Sequence, residues 1–424
     1  MAGMASEMFE LVDGECKRAV IRVIGVGGGG CNTVNQMSLG RIQGVDFVVA
    51  NTDRVHLEKC VPTTQLQLGA TITRGLGAGS DPKRGRAAAE EDRDRLKEVL
   101  EGTDLLFITA GMGGGTGTGA APVIAEVAKE LGILTVAVVT KPFPHEGPKR
   151  MHVALEGIQQ LQQHVDSLIM IPNEKLRLVL GGAISVKEGF KAANDVLQNA
   201  VQGISDLITR PGEINVDFAD VRTVMSSRGM AMMGLGAASG EDRAKRAVEA
   251  ALSSPLLDDL ELSGARGILV NITCDESLTL DELELINERI NEIASPDADM
   301  KSGTSFDPSL NGELRVTVVA TGLEGVGKAR AREALERTLP GGMRMQQSIP
   351  DSAHMAHAPT GTPGLRKPMS VVTPFSRQET APQQMSPRQL DTPTFLRQRQ
   401  SSHGLEEFNE ELLDIPAFLR AQAD

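Results

Sequence analysis

The 424-residue chain contains no Trp and no Tyr, and it has only four cysteines. Without Trp or Tyr, an aromatic platform for stacking nucleic-acid bases is disfavoured, although Phe is present. Cys16, Cys31, Cys60 and Cys274 lie far apart and include no CxxC pair, whereas disulfide frameworks and zinc sites need close or paired spacing. We therefore interpret them as reduced thiols of a cytosolic protein.

Long apolar segments and basic tracts are also absent from the sequence. No apolar run approaches the ~20 residues of a membrane span, and the stretch MAGMASEMFELVDGECKR has acidic residues where a signal peptide needs an apolar core. The formal net charge is −13, and no Lys/Arg run has the length that marks a nucleic-acid tract. We expect a cytoplasmic protein that neither spans a membrane nor binds nucleic acid.

Short β-branched runs alternate with helical patterns through the first half of the chain. Most runs are apolar throughout, as parallel strands covered on both faces should be, and they lie at 19–26, 45–52, 104–111, 133–143 and 167–173. Helical patterns at 83–102 and 121–132 lie between them. This alternation predicts an α/β fold with a Rossmann-like, doubly wound parallel sheet.

A longer helical pattern follows this alternation, from Glu188 to Arg210, with apolar residues at three- and four-residue steps. Beyond it, a strand, a helix and a strand are predicted at 265–275, 279–294 and 313–323, and they indicate a second, smaller α/β domain. The expected division is a flexible segment at 1–18, a first domain at 19–187, a central helix at 188–210 and a C-terminal domain at 211–324.

The composition changes after this second domain. Residues 341–404 hold 8 of the 21 prolines and few aliphatic side chains, so 325–404 is predicted to be a disordered linker. The final stretch, LEEFNEELLDIPAFLRAQAD at 405–424, carries six acids and one Arg, with apolar residues at helical spacing. It is too short to fold alone, so we interpret it as a partner-binding peptide.

Two glycine-rich loops each follow a predicted strand: GVGGGGCNTV at 25–34 and GMGGGTGTGAAP at 111–122. Because the carboxyl ends of the strands meet at one edge of an open α/β sheet, both loops should lie there. Glycine lets backbone N–H groups approach phosphate oxygens, and a helix expected to open after Thr118 adds more such donors. These donors replace the lysine that both loops lack, and the absence of GK[ST] disfavours an ordinary P-loop ATPase.

The first loop by itself leaves other interpretations open. A short glycine cluster is equally typical of a tight turn, and a dinucleotide fingerprint needs an acid ~20 residues on, at the carboxyl end of the next strand. Asp46 instead lies at the start of that strand. The second loop, after its own strand, therefore favours a two-sided phosphate site.

Three further polar loops should lie at the same edge, at 51–53, 75–82 and 145–150. Each has a purely structural alternative. Asp81 fits a helix cap, and Glu146 and Arg150 fit an ion pair four residues apart on a helix. Their convergence on one edge favours a ligand site.

Asp217 and Asp220 lie three residues apart at the start of a predicted helix. Locally, they fit a helix cap followed by an acid in the first turn. However, a central helix of about 23 residues extends for ~35 Å and carries them to the opposite face of the domain. There they could meet only the phosphates of a second copy stacked head to tail, where carboxylates could orient an attacking water.

The sequence contains, in this order, the motifs GGGTGTGAAP, NVDFADVRTVM and LDIPAFLR. With these motifs the chain resembles the FtsZ family, the tubulin-like GTPases of bacterial cell division. The resemblance covers about residues 8–324 and the final dozen residues. The resemblance implies GTP or GDP with Mg²⁺ held mainly by phosphates and water, and no protein metal site. It also implies self-assembly into head-to-tail filaments of the mid-cell division ring. Membrane-tethering adaptors such as FtsA and ZipA would bind 405–424, and other division regulators would bind the filament.

The same resemblance assigns roles to residues by motif. Phosphate contacts fall to Gly28, Gly29, Gly30, Cys31, Asn32, Gly115, Thr116 and Gly117. Ala78 and Gly79 would approach the γ-phosphate, Glu146 and Arg150 the ribose and phosphates, and Phe190 and Asn194 the guanine. Asn215, Asp217 and Asp220 would act on the GTP of the neighbouring subunit. Oxidation of Cys31 could interfere with nucleotide binding.

Two other functions remain open at this level. A dinucleotide-dependent oxidoreductase would bind NAD(P) without hydrolysing nucleotide. A GTP-sensing scaffold would bind GTP without turnover. Nucleotide hydrolysis that requires assembly distinguishes the self-assembling GTPase from both.

Overall fold

One mixed sheet organises the part of the chain that the structure describes. In this computed structural model, the described residues are 18–323 without 41, 43, 63, 181–184, 211, 228 and 258–263. All described residues belong to one compact unit, Met1–Gly342. Cys16, most of the expected N-terminal segment, the linker 325–404 and the peptide 405–424 lie outside the described residues.

The sheet contains ten strands among the described residues. They are β1 Ile21–Val26, β2 Val45–Asn51, β3 Thr64–Gln67, β4 Leu105–Gly111, β5 Leu134–Lys141, β6 Ser167–Pro172, β7 Gly229–Ser239, β8 Gly267–Cys274, β9 Asp299–Phe306 and β10 Glu313–Leu323. Their order is β3-β2-β1-β4-β5-β6-β7-β10-β8-β9. Strands β1 to β7 are all parallel to one another. Strand β10 runs antiparallel to both of its neighbours, β7 and β8, and β8 pairs with β9 in parallel.

The described helices follow in chain order. They are α1 Gly27–Leu39, α2 Arg54–Leu57, α3 Ala70–Thr73, α4 Pro82–Glu91, α5 Arg93–Leu100, α6 Thr116–Glu130, α7 Pro148–Gln162, α8 Asn173–Leu180, α9 Val186–Thr209, α10 Phe218–Met225, α11 Arg243–Leu252 and α12 Leu280–Ile293. Short 3₁₀ helices lie at Pro144–Glu146 and Pro308–Leu310.

The apolar runs of the sequence correspond to β1, β2, β4, β5, β6, β8 and β10, so the predicted α/β class with a largely parallel sheet is confirmed. Strands β3, β7 and β9 lack this signal. β3 buries only Leu66, and β7 is rich in Gly, Ala and Met, which give little β propensity. β9 buries Gly303, Thr304 and Ser305 without an apolar run. Tertiary pairing, rather than local preference, forms these strands.

The predicted helix at 83–102 is wrong as a single element, because it is interrupted at Asp92 between α4 and α5. The Asp92 carboxylate is nearly buried, accepts a 2.7 Å hydrogen bond from the Gly69 N–H and lies 2.8 Å from Arg95. A buried carboxylate needs such partners. At this position, the hydrogen bond and ion pair of the Asp92 carboxylate take precedence over continuing the helix.

Helices cover both faces of the sheet. Helices α1, α9 and α10 pack on one face of the parallel strands, and α4, α5, α6 and α7 pack on the other. Helices α11 and α12 cover β7, β8 and β10 in a third cluster. The segments expected to form two domains thus share one continuous sheet, through the parallel pairing of β6 with β7.

The central helix α9 begins two residues before the predicted start. Ser185 and Glu188 form a capping box, in which the Ser185 hydroxyl accepts from the Glu188 N–H and the Glu188 carboxylate accepts from the Ser185 N–H. The helix has 24 residues and therefore extends for ~36 Å. Its first half packs against α1, and its last turns pack against β8 and β9.

An ion-pair cluster ties the last turn of α9 to the segment after β9. Arg210 lies 3.0 Å from Asp206 and 2.9 Å from Asp307. Burial raises the pKa of Asp206 to about 6, although the Arg210 guanidinium opposes this shift. The cluster fixes the position of the segment that follows the helix.

Replacing Asp206 with Asn should change the pH dependence of stability. Because the pKa of Asp206 is higher in the folded protein than its usual value of 3.8, the folded state binds this proton more tightly. The resulting stabilisation is complete below pH ~4 and is lost as pH rises through about 6. Urea titrations of both proteins measure the free energy of unfolding of the natural chain minus that of Asp206→Asn. This difference should fall by about 1 kcal/mol from pH 5 to 7.5. A constant difference would contradict the raised pKa.

Candidate nucleotide-binding site

The chain changes direction across the sheet between β1 and β4. From β1 it proceeds to β2 and β3 on one side, and from β4 it proceeds to β5 and β6 on the other. Val26 and Ala110 are paired at the carboxyl ends of these neighbouring strands. Such a switch point opens a crevice between adjacent loops, and it is where open α/β sheets bind ligands. Both glycine-rich loops border this crevice.

Helix α1 begins directly at the first glycine-rich loop. Gly27 adopts a positive φ of 70° immediately after β1, which turns the chain into the helix. Val26 is the N-cap, no side chain caps the helix, and its first turn has no acidic residue. The first N–H groups of a helix have no partner within the helix. At α1 they are therefore available to an anion.

Helix α6 repeats this arrangement after β4. It starts at Thr116, three residues earlier than predicted, with Gly115 as an N-cap that has no side-chain hydrogen bond. The Thr118 hydroxyl, expected to precede the helix, is buried and accepts a 2.8 Å hydrogen bond from the Gly113 N–H. The Thr116 hydroxyl lies 2.6 Å from that of Thr52, in the loop after β2. The loop is thus held by threonines, while no side chain caps the first turn of α6.

Several glycines of the two loops are required for packing. A Cβ on Gly30 would lie 2.2 Å from the Thr109 carbonyl oxygen, and one on Gly117 would lie 2.7 Å from that of Gly111. By contrast, a Cβ on Gly28 would be 3.7 Å from its nearest neighbour, the His56 ring, and one on Gly114 would have no atom within 4 Å. The loops therefore contain two classes of glycine, one packed against the strands and the other facing open space.

Cys31 and Asn32, next in the first loop, point in opposite directions. The Cys31 side chain is fully buried in the core, and burial raises the pKa of its thiol far above the usual range. Asn32 is exposed, and its Oδ1 lies 3.1 Å from His56 Nε2. Cys31 can thus meet a ligand only through its backbone. His56 belongs to no motif and was not predicted as a site residue; the fold alone brings it beside Asn32.

The described cysteines Cys31, Cys60 and Cys274 are all free, in agreement with their interpretation as unpaired thiols. A thiol must ionise to react, and a thiol in an apolar core resists ionisation. The burial of Cys31 therefore protects it from the oxidation considered above.

The loop at 75–82 reaches the second glycine-rich loop. Ala78 is buried, and a Cβ on Gly115 would lie 2.9 Å from its Cβ. Gly79 has a φ of 64° with no atom within 4 Å of its Cβ position. Asp81 caps α4 by accepting a 3.0 Å hydrogen bond from the Lys83 N–H, so its structural interpretation is confirmed. The cap holds the exposed Gly79 at the crevice.

Glu146 and Arg150 form the expected ion pair, 3.1 Å apart. Glu146 is mostly buried and also accepts a 2.8 Å hydrogen bond from the Phe143 N–H. The Phe143 ring contacts the half-exposed Phe190 ring edge-on, with centroids 5.4 Å apart. This contact connects the segment after β5 with the second turn of α9.

Asn194 lies one turn further along α9, where its Oδ1 accepts a 2.9 Å hydrogen bond from the Thr33 hydroxyl of α1. Contacts therefore link the glycine-rich loops and α1 to the first half of α9. A cavity of ≈ 340 Å³ opens beside them, lined by Asn32, Asn35, Asp53, Val55, His56, Lys59 and Cys60. A larger cavity of ≈ 500 Å³ lies between α9 and the neighbouring strands β7 and β10, and its lining includes none of the expected site residues.

The acidic residues lie at the other end of α9. Asn215 Oδ1 accepts a 2.9 Å hydrogen bond from the Gly212 N–H. Asp217 is exposed and caps α10 by accepting a 2.7 Å hydrogen bond from the Asp220 N–H. The local interpretation of a cap followed by an acid in the first turn is thus confirmed. From Asn194 to the end of α9, the helix extends for ~22 Å.

Two family models match the chain: the GTPase domain of the Tubulin/FtsZ family over residues 20–181, and the C-terminal domain of the FtsZ family over residues 229–324. The chain belongs to the FtsZ family. The cell division protein FtsZ of Pseudomonas aeruginosa is 52% identical over 425 residues, covering 98% of this chain and 100% of that protein. FtsZ of Coxiella burnetii is 52% identical over 97% of this chain and 99% of that protein.

Solved structures of FtsZ have the same fold. An empty FtsZ dimer from M. jannaschii has a TM-score of 0.71 and 44% identity, covering 73% of this chain and 90% of that chain. CetZ1 from Haloferax volcanii, a GDP-bound monomer, is 22% identical with a TM-score of 0.65 over 75% of this chain and 99% of that chain. At that identity the likeness concerns the fold alone.

This FtsZ-family chain is a tubulin-like GTPase of bacterial cell division, from a family known to polymerise. GTP and GDP are its nucleotides, and Mg²⁺ is the usual ion of the family. The uncapped ends of α1 and α6 fit such a phosphate ligand. The oxidoreductase alternative is not favoured. In the described part of the chain, no helix is long and apolar enough to cross a membrane.

Proposed function

We propose that each nucleotide site of this GTPase is completed by a second copy of the chain. One subunit binds GTP at the crevice between β1 and β4, and the acidic residues of the next subunit catalyse its hydrolysis. The observation that supports this proposal is that Asn194 lies in the first half of α9 whereas Asp217 lies beyond its end. Because a rigid helix separates them, one subunit cannot bring its own carboxylates to its own phosphates.

The binding half is the crevice and the first turns of α9. Phosphates contact the amides of Gly28, Gly29, Gly30, Cys31, Asn32, Gly115, Thr116 and Gly117, with Ala78 and Gly79 near the γ-phosphate. Glu146 and Arg150 hold the ribose and phosphate region, and Phe190 and Asn194 hold guanine. The uncapped helix ends, the exposed Asn32 and the half-exposed Phe190 ring support these assignments.

The catalytic half consists of Asn215, Asp217 and Asp220. Carboxylates positioned against the γ-phosphate orient and polarise the attacking water, while Mg²⁺ bound to the phosphates offsets their charge. No cluster of three or more His, Cys, Asp or Glu that could hold a metal occurs among the described residues. We propose that Mg²⁺ is held mainly by the phosphates and water, because Mg²⁺ usually keeps several waters and binds with substrate phosphates.

The concentration dependence of GTPase activity tests the shared site. The rate per subunit should be negligible at high dilution and rise above a threshold concentration, because only assembled subunits contain a complete site. Phosphate release is measured over a dilution series, alongside GTP binding by the same samples. A rate per subunit that is constant from the lowest concentrations would exclude a shared site, and GTP binding without phosphate release would favour the scaffold.

At the cellular level, we propose head-to-tail filaments of the mid-cell division ring in the cytoplasm. The shared site proposed above would join unlike ends of two subunits, and such a heterologous contact repeats indefinitely unless its rotation closes a ring. The proposed domain order is 1–18, 19–187, 188–210, 211–324, a linker at 325–404 and a peptide at 405–424. The acidic, apolar peptide would bind adaptors such as FtsA and ZipA, and other regulators would bind the filament.

Deleting residues 405–424 tests the separation of this peptide from the catalytic unit. Sedimentation with GTP and the GTPase threshold should stay within about twofold of the full chain, because all proposed site residues lie outside the deletion. Binding of the adaptors should be lost. Loss of hydrolysis in the truncated protein would contradict a detachable peptide, and retained adaptor binding would locate the adaptor site elsewhere.

A further inference from the structure

Lys301, on the edge strand β9, contacts the acidic half-site. Its Nζ lies 3.1 Å from an Asp220 carboxylate oxygen and 3.6 Å from one of Asp299. A lysine on an edge strand commonly serves only to prevent pairing with another sheet. That role needs an ammonium in solvent, whereas only 33% of this side chain is exposed and its ammonium is paired with α10.

The pleat of β9 explains this contact. Alternate residues of a strand point to the same face, so Lys301 shares a face with Gly303. A Cβ on Gly303 would lie 2.7 Å from Leu207 and 2.8 Å from Val216. This face therefore packs against the end of α9 and the segment that leads into Asp217. The fold thus directs Lys301 towards the acidic residues.

Two carboxylates contact Lys301, and both are about half exposed: those of Asp220 and Asp299. Asp217, which caps the same helix as Asp220, is exposed. The nearby Arg222 lies over the Phe218 ring, 5.1 Å from its centroid. In the proposed assembly, these carboxylates approach a triphosphate, which is itself strongly negative. Like charges brought together oppose association, and a cation beside them reduces that repulsion.

We propose that Lys301 is a positioning residue of the acidic half-site, which holds Asp220 and lowers the repulsion between this half-site and the neighbour's nucleotide. This inference rests on the shared site proposed above. We expect Lys301 to affect the association of subunits more than the hydrolysis step. Lys301 lowers the concentration at which subunits associate, while Asp217 and Asp220 determine the rate within an assembled site.

The test compares Lys301→Met and Lys301→Arg with the natural chain. Lys301→Met should raise the threshold concentration about three- to tenfold at 0.05 M salt, and the difference should largely disappear at 0.5 M, where charges are screened within a few Å. The threshold is read from sedimentation with GTP as well as from phosphate release, so that a change in the rate within assembled sites is not mistaken for a change in assembly. Lys301→Arg should restore the threshold, because it retains the charge.

Lys97→Met is the matched control, because Lys97 forms an ion pair of the same 3.1 Å length with Glu130, with similar exposure, between α5 and α6. It should leave the threshold unchanged. An unchanged threshold in Lys301→Met, an equal shift at both salt concentrations, or a failure of Lys301→Arg to restore it would overturn the role of Lys301.

Assembly measured by sedimentation separates this proposal from the shared site. In an Asp220→Asn background, Lys301→Met should have a smaller effect on sedimentation, since the charge that Lys301 balances is gone. An undiminished effect would contradict action through Asp220. Full hydrolysis by Asp220→Asn would instead contradict the catalytic role of Asp220, whatever the sedimentation results for Lys301.

Discussion

Replacing Asp217 with Asn should reduce GTP hydrolysis by at least ~100-fold while leaving the fold and GTP affinity nearly unchanged. Asn caps a helix as well as Asp does, so the hydrogen bond that Asp217 accepts from the Asp220 N–H is preserved. Only the carboxylate is lost. Because the proposed binding residues lie at the other end of α9, the variant should bind GTP within about twofold of the natural chain.

Asp217→Ala is the matched control for stability. Ala cannot cap α10, so this variant should lose about 1 kcal/mol of unfolding free energy in addition to the same loss of hydrolysis. Urea titrations, GTP-binding titrations and phosphate release measure the three effects separately. A loss of GTP affinity in Asp217→Asn would refute the separation of binding and catalysis. Natural hydrolysis in Asp217→Asn would show that the Asp217 carboxylate is not used.

Gly114→Ala should have the opposite profile, with a weakened nucleotide site on an intact fold. Gly114 has an ordinary φ, and no atom lies within 4 Å of the position of an added Cβ. The folded chain therefore accommodates the methyl group. Bound phosphates would occupy this open side of the loop, so GTP affinity should fall by about tenfold or more, with unfolding free energy within ±0.5 kcal/mol.

Gly119→Ala, five residues along the same motif, serves as the comparison. An added Cβ there would lie 2.1 Å from the Pro82 carbonyl oxygen and 2.6 Å from the Arg86 N atom. Helices α4 and α6 would have to separate, so this variant should lose about 1–3 kcal/mol or more of stability. If Gly114→Ala destabilised the fold and left GTP affinity unchanged, the loop would be a packing element rather than a phosphate site.

Mixing Asp217→Asn with Gly114→Ala tests the shared site directly. Each variant alone should hydrolyse little GTP, because Asp217→Asn lacks the catalytic carboxylate and Gly114→Ala binds little nucleotide. In a mixture, the intact acidic residues of Gly114→Ala subunits complete the intact nucleotide sites of Asp217→Asn subunits. GTPase activity should therefore recover partly. Activity equal to the sum of the separate proteins would contradict sites built from two subunits.

Local patterns predicted much of this molecule. The apolar runs identified seven of the ten described strands, because a strand buried on both faces has few polar residues. Three- and four-residue spacing predicted α9 to within two residues at its start. Helix capping, the structural alternative that the sequence offered for Asp81 and Asp217, is confirmed, since capping depends only on the next few residues.

Errors arose where distant residues compete with local preference. Asp92 interrupts a predicted helix because its carboxylate is needed by the Gly69 N–H. α6 begins at Thr116 rather than after Thr118, because the Thr118 hydroxyl binds the loop before it. β9 carries no apolar run and forms by pairing with β8. In each case the deciding partner is not visible in a short window of sequence.

The sequence by itself determined the family, the glycine-rich loops, the acidic pair and the long helix between them, since each depends on residues close together in the chain. Only the tertiary structure decided that β1 and β4 are neighbours, which brings both loops to one crevice. It also decided that Cys31 points inward, that His56 reaches Asn32 and that Lys301 pairs with Asp220. The physical reason is that strand order is set by burying both faces of the sheet at once, which is a property of the whole chain.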